Sequence, residues 1–372
     1  MKKRFFSLVL ASSLWAGCGD SAEILPLVNN GPPARVSSAT FQAGQTIALT
    51  EVGRWVEVAD LDGDNNRDLI VGLLSEIVVL LGNGDGTFPA PVAVGDQPGD
   101  VLAIADLDGD GALDIVASYL ESSDVQILPG RGDGTFEPEI ALAAIANVNE
   151  VHALDINLDG RIDLAVSVPD ADRVQTFLNQ GDFQFTPGPE VAVPAPSGLA
   201  VADFNLDGRA DLGAGLDDPA GMQVILNSAN GLVASGSQPS VSRVFSVASG
   251  DFNADGRPDL AGIEFDDFVN VFFGDGLGGL ILGPRLATGV ESFQIISANL
   301  NGDNHTDLVV GTLQSGELNI YIANAQGGFD QRSNLSSPLT VSLAAGDVNG
   351  DGLEDIIAVT ETNSVNIFLA QP

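Results

Sequence analysis

Lysine is almost missing from this 372-residue sequence: Lys2 and Lys3 stand at the extreme N-terminus and none follows. Lysine Schiff bases and lysine general bases are therefore excluded from the rest of the chain. The single cysteine, Cys18, excludes an intrachain disulfide framework and a cysteine-cluster metal site. The two histidines, His152 and His305, are too far apart in sequence to suggest a zinc site. Beyond the N-terminus no apolar run reaches the roughly 18–20 residues that a membrane helix needs. Basic residues number 14 against 51 acidic ones, for a formal charge of −37. Binding to nucleic-acid phosphates requires clustered Lys and Arg, so that class of partner is excluded. A hydrophobic content of 44% is too high for a disordered acidic chain.

Residues 1–18 read as an export signal. A basic Met-Lys-Lys-Arg start precedes a short apolar run from Phe5 to Ala16 and a small-residue exit, Gly17-Cys18. The segment Leu14 to Cys18 resembles a bacterial lipobox, with Trp15 where that motif prefers a branched aliphatic residue. It implies lipidation of Cys18, export, and a membrane attachment made only through the lipid anchor, facing the periplasm or the cell surface; simple secretion is the alternative. Residues 19–35 are rich in Gly, Pro, Asn and Ser and read as a flexible tether. Residues 36–372 form one repeat domain.

The repeat is a nine-residue loop that occurs seven times, starting at Asp60, Asp106, Asp155, Asp203, Asp251, Asn299 and Asp347, about 48 residues apart. A short apolar run precedes each loop and another follows it. An alternating run comes next, such as Val174-Gln175-Thr176, then a Gly/Asp turn such as Gly84-Asp85-Gly86-Thr87-Phe88, then a last extended stretch. Runs this short, β-branched and bounded by glycine are strands. Four strands per unit, repeated radially, predict an all-β fold: a seven-bladed β-propeller of four-stranded blades. The last unit ends after its third strand. Residues 40–49 resemble the missing fourth strand, so the N-terminal strand is expected to close the ring and remove its free edges.

Positions 1, 3, 5 and 9 of each loop carry Asp or Asn, a spacing that lets a tightly turned backbone aim alternate oxygens at one centre. Position 7 is variable and is expected to lend its backbone carbonyl. A hard cation such as Ca²⁺ takes six to eight such oxygens. The candidate ligands are Asp60, Asp62, Asp64, Asn66 and Asp68 in the first loop, and Asp106, Asp108, Asp110, Ala112 and Asp114 in the second. In the third they are Asp155, Asn157, Asp159, Arg161 and Asp163; in the fourth, Asp203, Asn205, Asp207, Arg209 and Asp211. The fifth offers Asp251, Asn253, Asp255, Arg257 and Asp259, the sixth Asn299, Asn301, Asp303, His305 and Asp307, and the seventh Asp347, Asn349, Asp351, Leu353 and Asp355. Up to seven Ca²⁺ ions are expected. The sixth loop has two carboxylates where the first two have four, so it is expected to bind most weakly. Position 6 is Gly in five loops and Asn65 or Asn304 in the others, residues that tolerate a left-handed backbone. An EF-hand is excluded, because position 12 is apolar or Gly in every loop rather than Glu.

Together the loops and the Gly-Asp-Gly-Thr-Phe turns resemble the FG-GAP/VCBS repeat proteins, of which the integrin α-subunit head is a relative. The resemblance covers residues 40–372. It implies Ca²⁺ held in propeller blades and a function in adhesion or ligand binding, with a few polysaccharide lyases among its members. Literal Phe-Gly and Gly-Ala-Pro words are missing, and all seven blades carry the loop, whereas integrins use only some.

A ligand site should show as departures from the repeat. Small residues dominate the inner strand three places before each loop, but Glu57 and His152 break that rule, with Trp55 and Glu150 two residues earlier. These four, with Tyr119 from a connection between the second and third strands, are the candidate ligand residues. They are expected near the channel mouth opposite the Asp loops, where Phe265 and several aspartates also fall. The reading is a non-catalytic, monomeric, calcium-stabilised binding scaffold for an unidentified glycan or protein. A polysaccharide lyase is the rival and would have only Arg54 or Arg243 as its base; a structural subunit of an envelope assembly is a third possibility. Arg131-Gly132-Asp133 falls on the repeat turn and is read as part of it.

Overall fold

The structure is a computed structural model that describes residues 39–371, apart from 96–98, 100, 119–123, 145–147, 230, 241, 290, 304, 325–326 and 331–332. The expected export signal and tether, with Cys18, lie outside the described residues, as does Tyr119.

Seven antiparallel blade sheets form, with a small two-stranded sheet of Ala323–Asn324 and Gly328–Phe329 beside them; six blades keep their strands in chain order from the inside outwards, and the seventh takes its outermost strand from the N-terminal end of the domain. The inner strands are Gly53–Ala59, Val101–Ala105, Glu150–Leu154, Pro196–Ala202, Val244–Gly250, Ser292–Ala298 and Thr340–Gly346. Each enters its Asp loop and returns as a second strand starting at the ninth loop residue: Asp68–Leu73, Asp114–Ser118, Asp163–Val168, Asp211–Leu216, Asp259–Glu264, Asp307–Thr312 and Asp355–Thr360. Beyond that Asp the second strands are mostly apolar, and they are buried wherever their side chains are described, because they face neighbours on both sides. Outer strands are mostly exposed, as in Phe185–Ala192 and Leu280–Ala287. The fourth blade has a broken outer edge, Gly231–Ala234 followed by Gln238–Pro239, both paired with Gly221–Ser228.

The core is divided into seven apolar clusters, each shared by two adjacent blades. Such a ring is stabilised by nearest-neighbour contacts, as repeat proteins are. Closure is made by Thr40–Ala48, which pairs antiparallel with Ser364–Gln371 from Thr40 opposite Gln371 to Ala48 opposite Ser364, with an irregularity between Ala43 and Thr46. Gln45 extends the seam to the first blade: its Oε1 accepts the Phe88 N–H at 2.7 Å and its Nε2 donates to the Phe88 carbonyl at 3.0 Å. No helix among the described residues is long and apolar enough to cross a membrane.

Candidate metal centre

Each Asp loop is organised from its first residue onward by side-chain oxygens that accept backbone N–H groups. In the first loop Asp60 accepts from Gly63 and Asn65 at 2.8 and 2.9 Å, Asp62 from Asp64 at 3.2 Å, and Asp64 from Asn66 at 2.7 Å. The ladder recurs with Asn at position 3: in the fifth loop Asp251 accepts from Asp255 and Gly256, Asn253 from Asp255, and Asp255 from Arg257. Short Asp and Asn side chains suit this role because they reach backbone donors two to five residues on.

Position 9 has a second task. Its carboxylate is buried in all seven blades and ties the loop to the end of the third strand. One oxygen of Asp68 accepts the Leu61 N–H at 2.7 Å and the other accepts the Gly82 N–H at 2.7 Å. Asp163 does the same for Ile156 and Asn179, Asp259 for Phe252 and Gly274, and Asp355 for Val348 and Ala370. The constancy of Asp at position 9 thus follows from the fold as well as from any ion. Position 2, which sequence reasoning passed over, supplies the donor and plants an apolar side chain between blades: Leu61, Leu107, Ile156, Phe204, Phe252, Leu300 and Val348 are all buried.

Position 4 was also missed. Its φ is positive in all seven loops: Gly63, Gly109, Gly302 and Gly350 hold it at low cost, but Leu158, Leu206 and Ala254 adopt φ of 59°, 57° and 54°. An L-residue there is strained by roughly 1–2 kcal/mol. The alternation of Gly with Leu or Ala hid this position. At position 6 the left-handed conformation occurs as expected, at Asn65 (φ 67°) and at the glycines; Asn304 lies outside the described residues.

The donor set fits a hard cation. Asp60, Asp62 and Asp68 each offer a carboxylate oxygen within 4.8 Å of the others, as do Asp106, Asp108 and Asp114. Two oxygens bound at about 2.3–2.6 Å to one Ca²⁺ stand at most about 5 Å apart, so both triads are compact enough. The other five loops replace the position-3 carboxylate with an Asn amide. Desolvation, with the like charges of Asp60 and Asp64, raises the Asp62 carboxyl above the usual range, and Asp108 is raised in the same way. Carboxylates crowded at this cost are what a divalent ion would neutralise. His305 is part-buried, with Nδ1 3.2 Å from Asp303 Oδ1, while Arg161 pairs with Asp159 and donates from Nε to the Asn179 carbonyl at 2.8 Å.

Burial pushes the position-9 carboxyls up despite their two N–H donors: to about 6 for Asp68, Asp114, Asp211 and Asp355, and to about 7 for Asp259 and Asp307. A folded-state value above the unfolded one makes ionisation destabilising. The penalty is complete above the folded value and is relieved as pH falls towards the unfolded value of 3.8. Metal-stripped protein is therefore expected to melt higher at pH 5.5 than at pH 8, with Ca²⁺ reversing the order. Melting curves across that range check this; a stripped protein that is more stable at pH 8 would contradict it.

The inner-strand residues are placed differently from expectation. Trp55 is 1% exposed, packed between the first two blades against Ile77, Ile115 and Leu128, so no ring face is open to a ligand. Its position, five before the loop, is where adjacent inner strands are joined. Ser246 and Ser342 accept N–H groups from Ile295 and Val56 there, and Gln294 bonds both the N–H and the carbonyl of Leu343. At the same position Gly198 leaves room, since a Cβ would stand 3.1 Å from the Phe245 carbonyl oxygen. Glu150 follows this pattern: it is buried and accepts the Leu199 N–H, with His152 Nε2 3.7 Å away. Glu57 is buried too, and desolvation raises its carboxyl well above the usual range. These four side chains are interior and form no open cluster at a channel mouth. Sequence could not distinguish a channel-facing residue from one facing the next blade, because both occupy an inner strand.

Opposite the Asp loops, the connections between second and third strands of the fourth and fifth blades both reach Arg243, which precedes the fifth inner strand. Phe265 is 62% exposed, the Arg243 guanidinium lies 4.1 Å from its ring centroid, and Asp217 of the fourth blade is 3.7 Å from Arg243. Arg243, the candidate base of the rival lyase reading, is therefore engaged by an aromatic ring and a carboxylate. Arg54 lies within the first inner strand.

Seven four-stranded blades, each with an aspartate-lined loop between its first and second strands, define a β-propeller. The FG-GAP-like repeat family matches residues 60–117, 106–166, 155–214 and 299–358, together more than half of the chain, and the chain belongs to that family. These stretches include every Asp loop but the fifth, whose hydrogen-bond ladder is the same. Among solved structures, BBS1N in its complex with ARL6DN is similar at 12% identity, with a TM-score of 0.66 over 90% of this chain and 97% of that one. A lectin of Agrocybe aegerita that recognises non-reducing terminal N-acetylglucosamine is similar at 18% identity, with a TM-score of 0.58 over 85% and 87% of the two chains. Both likenesses concern the fold. No curated protein matches the sequence.

Proposed function

We propose that the protein is a non-catalytic binding scaffold that works outside the cytoplasm, stiffened by Ca²⁺ in its Asp loops, and that it presents the opposite face to a glycan. The observation that carries the scaffold reading is the Asp-loop ladder, built on one face in blade after blade. Such repetition suits structural ions and does not suit a single catalytic centre. Asp60, Asp62, Asp64 and Asp68 would hold the ion in the first loop with the carbonyl of Asn66, and the equivalent residues in the others. The ion would supply charge neutralisation and loop rigidity.

For the ligand face, an exposed aromatic with a guanidinium stacked over one face of its ring, and a carboxylate beside that guanidinium, puts an apolar plate next to donors and acceptors. That arrangement suits a sugar ring and its hydroxyls. Glycan recognition on this fold has a precedent in the Agrocybe lectin. The N-terminal segment supports an extracytoplasmic location, with attachment through Cys18.

A glycan array probed with Ca²⁺-loaded protein, together with turnover assays on acidic polysaccharides, tests the reading. Retention of a glycan without turnover, lost in Phe265→Ala at unchanged melting temperature, is the expected result. Depolymerisation of a polyuronate would overturn it in favour of the lyase.

A further inference from the structure

The sixth Asp loop has two carboxylates of its own, Asp303 and Asp307, and Asn at positions 1 and 3. Its neighbour changes that count. Glu354, position 8 of the seventh loop, reaches back across the blade boundary. Its Oε2 accepts the Asn299 N–H at 2.5 Å, and its own N–H donates to the Asn299 carbonyl at 3.3 Å. The backbone half of this contact recurs at the preceding boundary: Thr306, position 8 of the sixth loop, donates its N–H to the Asp251 carbonyl at 3.1 Å. Position 8 of one blade therefore sits beside position 1 of the preceding loop, and its side chain is delivered there. The Cβ of Thr306 would be only 2.8 Å from a Cβ built on Gly250. Around the seam, Arg67 is position 8 of the first loop, and it lines a common cleft with Asn66, Asp347 and Gly350. At the other boundaries position 8 is uncharged: Leu113, Ile162, Ala210, Pro258 and Thr306.

We propose that position 8 sets the charge of the preceding calcium site from outside its loop: Glu354 supplies the third negative charge at the sixth loop, and Arg67 places a positive charge beside the seventh. The proposal rests on the calcium reading of the loops. It changes the order expected from the loops' own residues: the sixth site gains a third negative charge and the seventh faces a positive one, so the sixth is expected to bind Ca²⁺ more tightly than the seventh.

The test is a Ca²⁺ titration of metal-stripped protein followed at the backbone amides of Gly63, Gly302 and Gly350, which report the first, sixth and seventh loops. In the wild type, Gly302 is expected to titrate at a lower Ca²⁺ concentration than Gly350. Glu354→Gln retains an acceptor for the Asn299 N–H but removes the charge. It should raise the Gly302 midpoint on the order of tenfold and leave Gly63 unmoved. Arg67→Gln, at the other boundary and independent of any folding defect in the first variant, should lower the Gly350 midpoint several-fold. Midpoints unmoved in both variants would overturn the proposal while leaving the calcium sites standing. If no glycine amide responds to Ca²⁺ in the wild type, the calcium reading itself fails.

Discussion

Deletion of residues 39–49 is expected to leave a protein that aggregates or, where it stays soluble, loses several kcal/mol of stability. The strand Thr40–Ala48 pairs along Ser364–Gln371, and without it the last strand of the seventh blade becomes a long open edge. Open edges of this kind pair with other chains. Ile47 and Leu49 are buried in the cluster that joins the seventh blade to the first, next to Val359, Val365 and Ile367. Each such side chain contributes about 1.5–3 kcal/mol when buried. The Gln45 bonds to Phe88 are lost as well. Light scattering after size exclusion and thermal melting measure the outcome. A deletion variant that remains monomeric and melts with the wild type would show that the ring does not depend on this seam.

The second large effect expected is that of calcium, on the proposed reading of the Asp loops. An ion bound only by the folded state stabilises it by about 2.7 kcal/mol per site at a free concentration one hundred times the dissociation constant, and several sites act together. Stripping the protein at pH 7.5 should lower its melting temperature by many degrees, and Ca²⁺ should restore it. Asp62→Asn combined with Asp108→Asn removes one carboxylate from each of the two triads in which three carboxyl oxygens lie within 4.8 Å of one another. In this double variant the Ca²⁺-dependent part of the stability should shrink. In stripped protein the same change should be neutral or stabilising, since it relieves the repulsion by Asp60, Asp64, Asp106 and Asp110. Equal losses with and without Ca²⁺ would assign these side chains a purely structural role.

The ring was legible in the sequence because its signals are local and repeated. Seven loop starts set the blade count, and an incomplete last unit together with Thr46-Ile47-Ala48-Leu49 announced the closure. The gathering of carboxylates at positions 1, 3 and 9 of the first two loops was legible for the same reason. What stayed hidden depends on contacts between blades. Trp55 and Glu150 look like anomalies in a row of small inner-strand residues, but their side chains are packed inside the ring, where Gln294 and Ser342 do equivalent work. Asp68 and its six counterparts read as ligands, yet each also holds two backbone N–H groups across its blade. Leu158 and Leu206 conceal a left-handed position because Leu carries no sequence mark for it. Glu354 belongs by sequence to the seventh loop and by contact to the sixth. A reading that counts ligands loop by loop has no access to a charge supplied across a blade boundary.

The role proposed for the Asp loops is to bind cations that stabilise the propeller. Native mass spectrometry of metal-stripped protein titrated with Ca²⁺ tests it most directly, since it counts ions per chain. Several successive additions of one Ca²⁺ are expected, up to seven, with a lower final number when Asp60, Asp62 and Asp64 are all changed to Asn. A spectrum that shows no bound Ca²⁺ at millimolar concentration would contradict it.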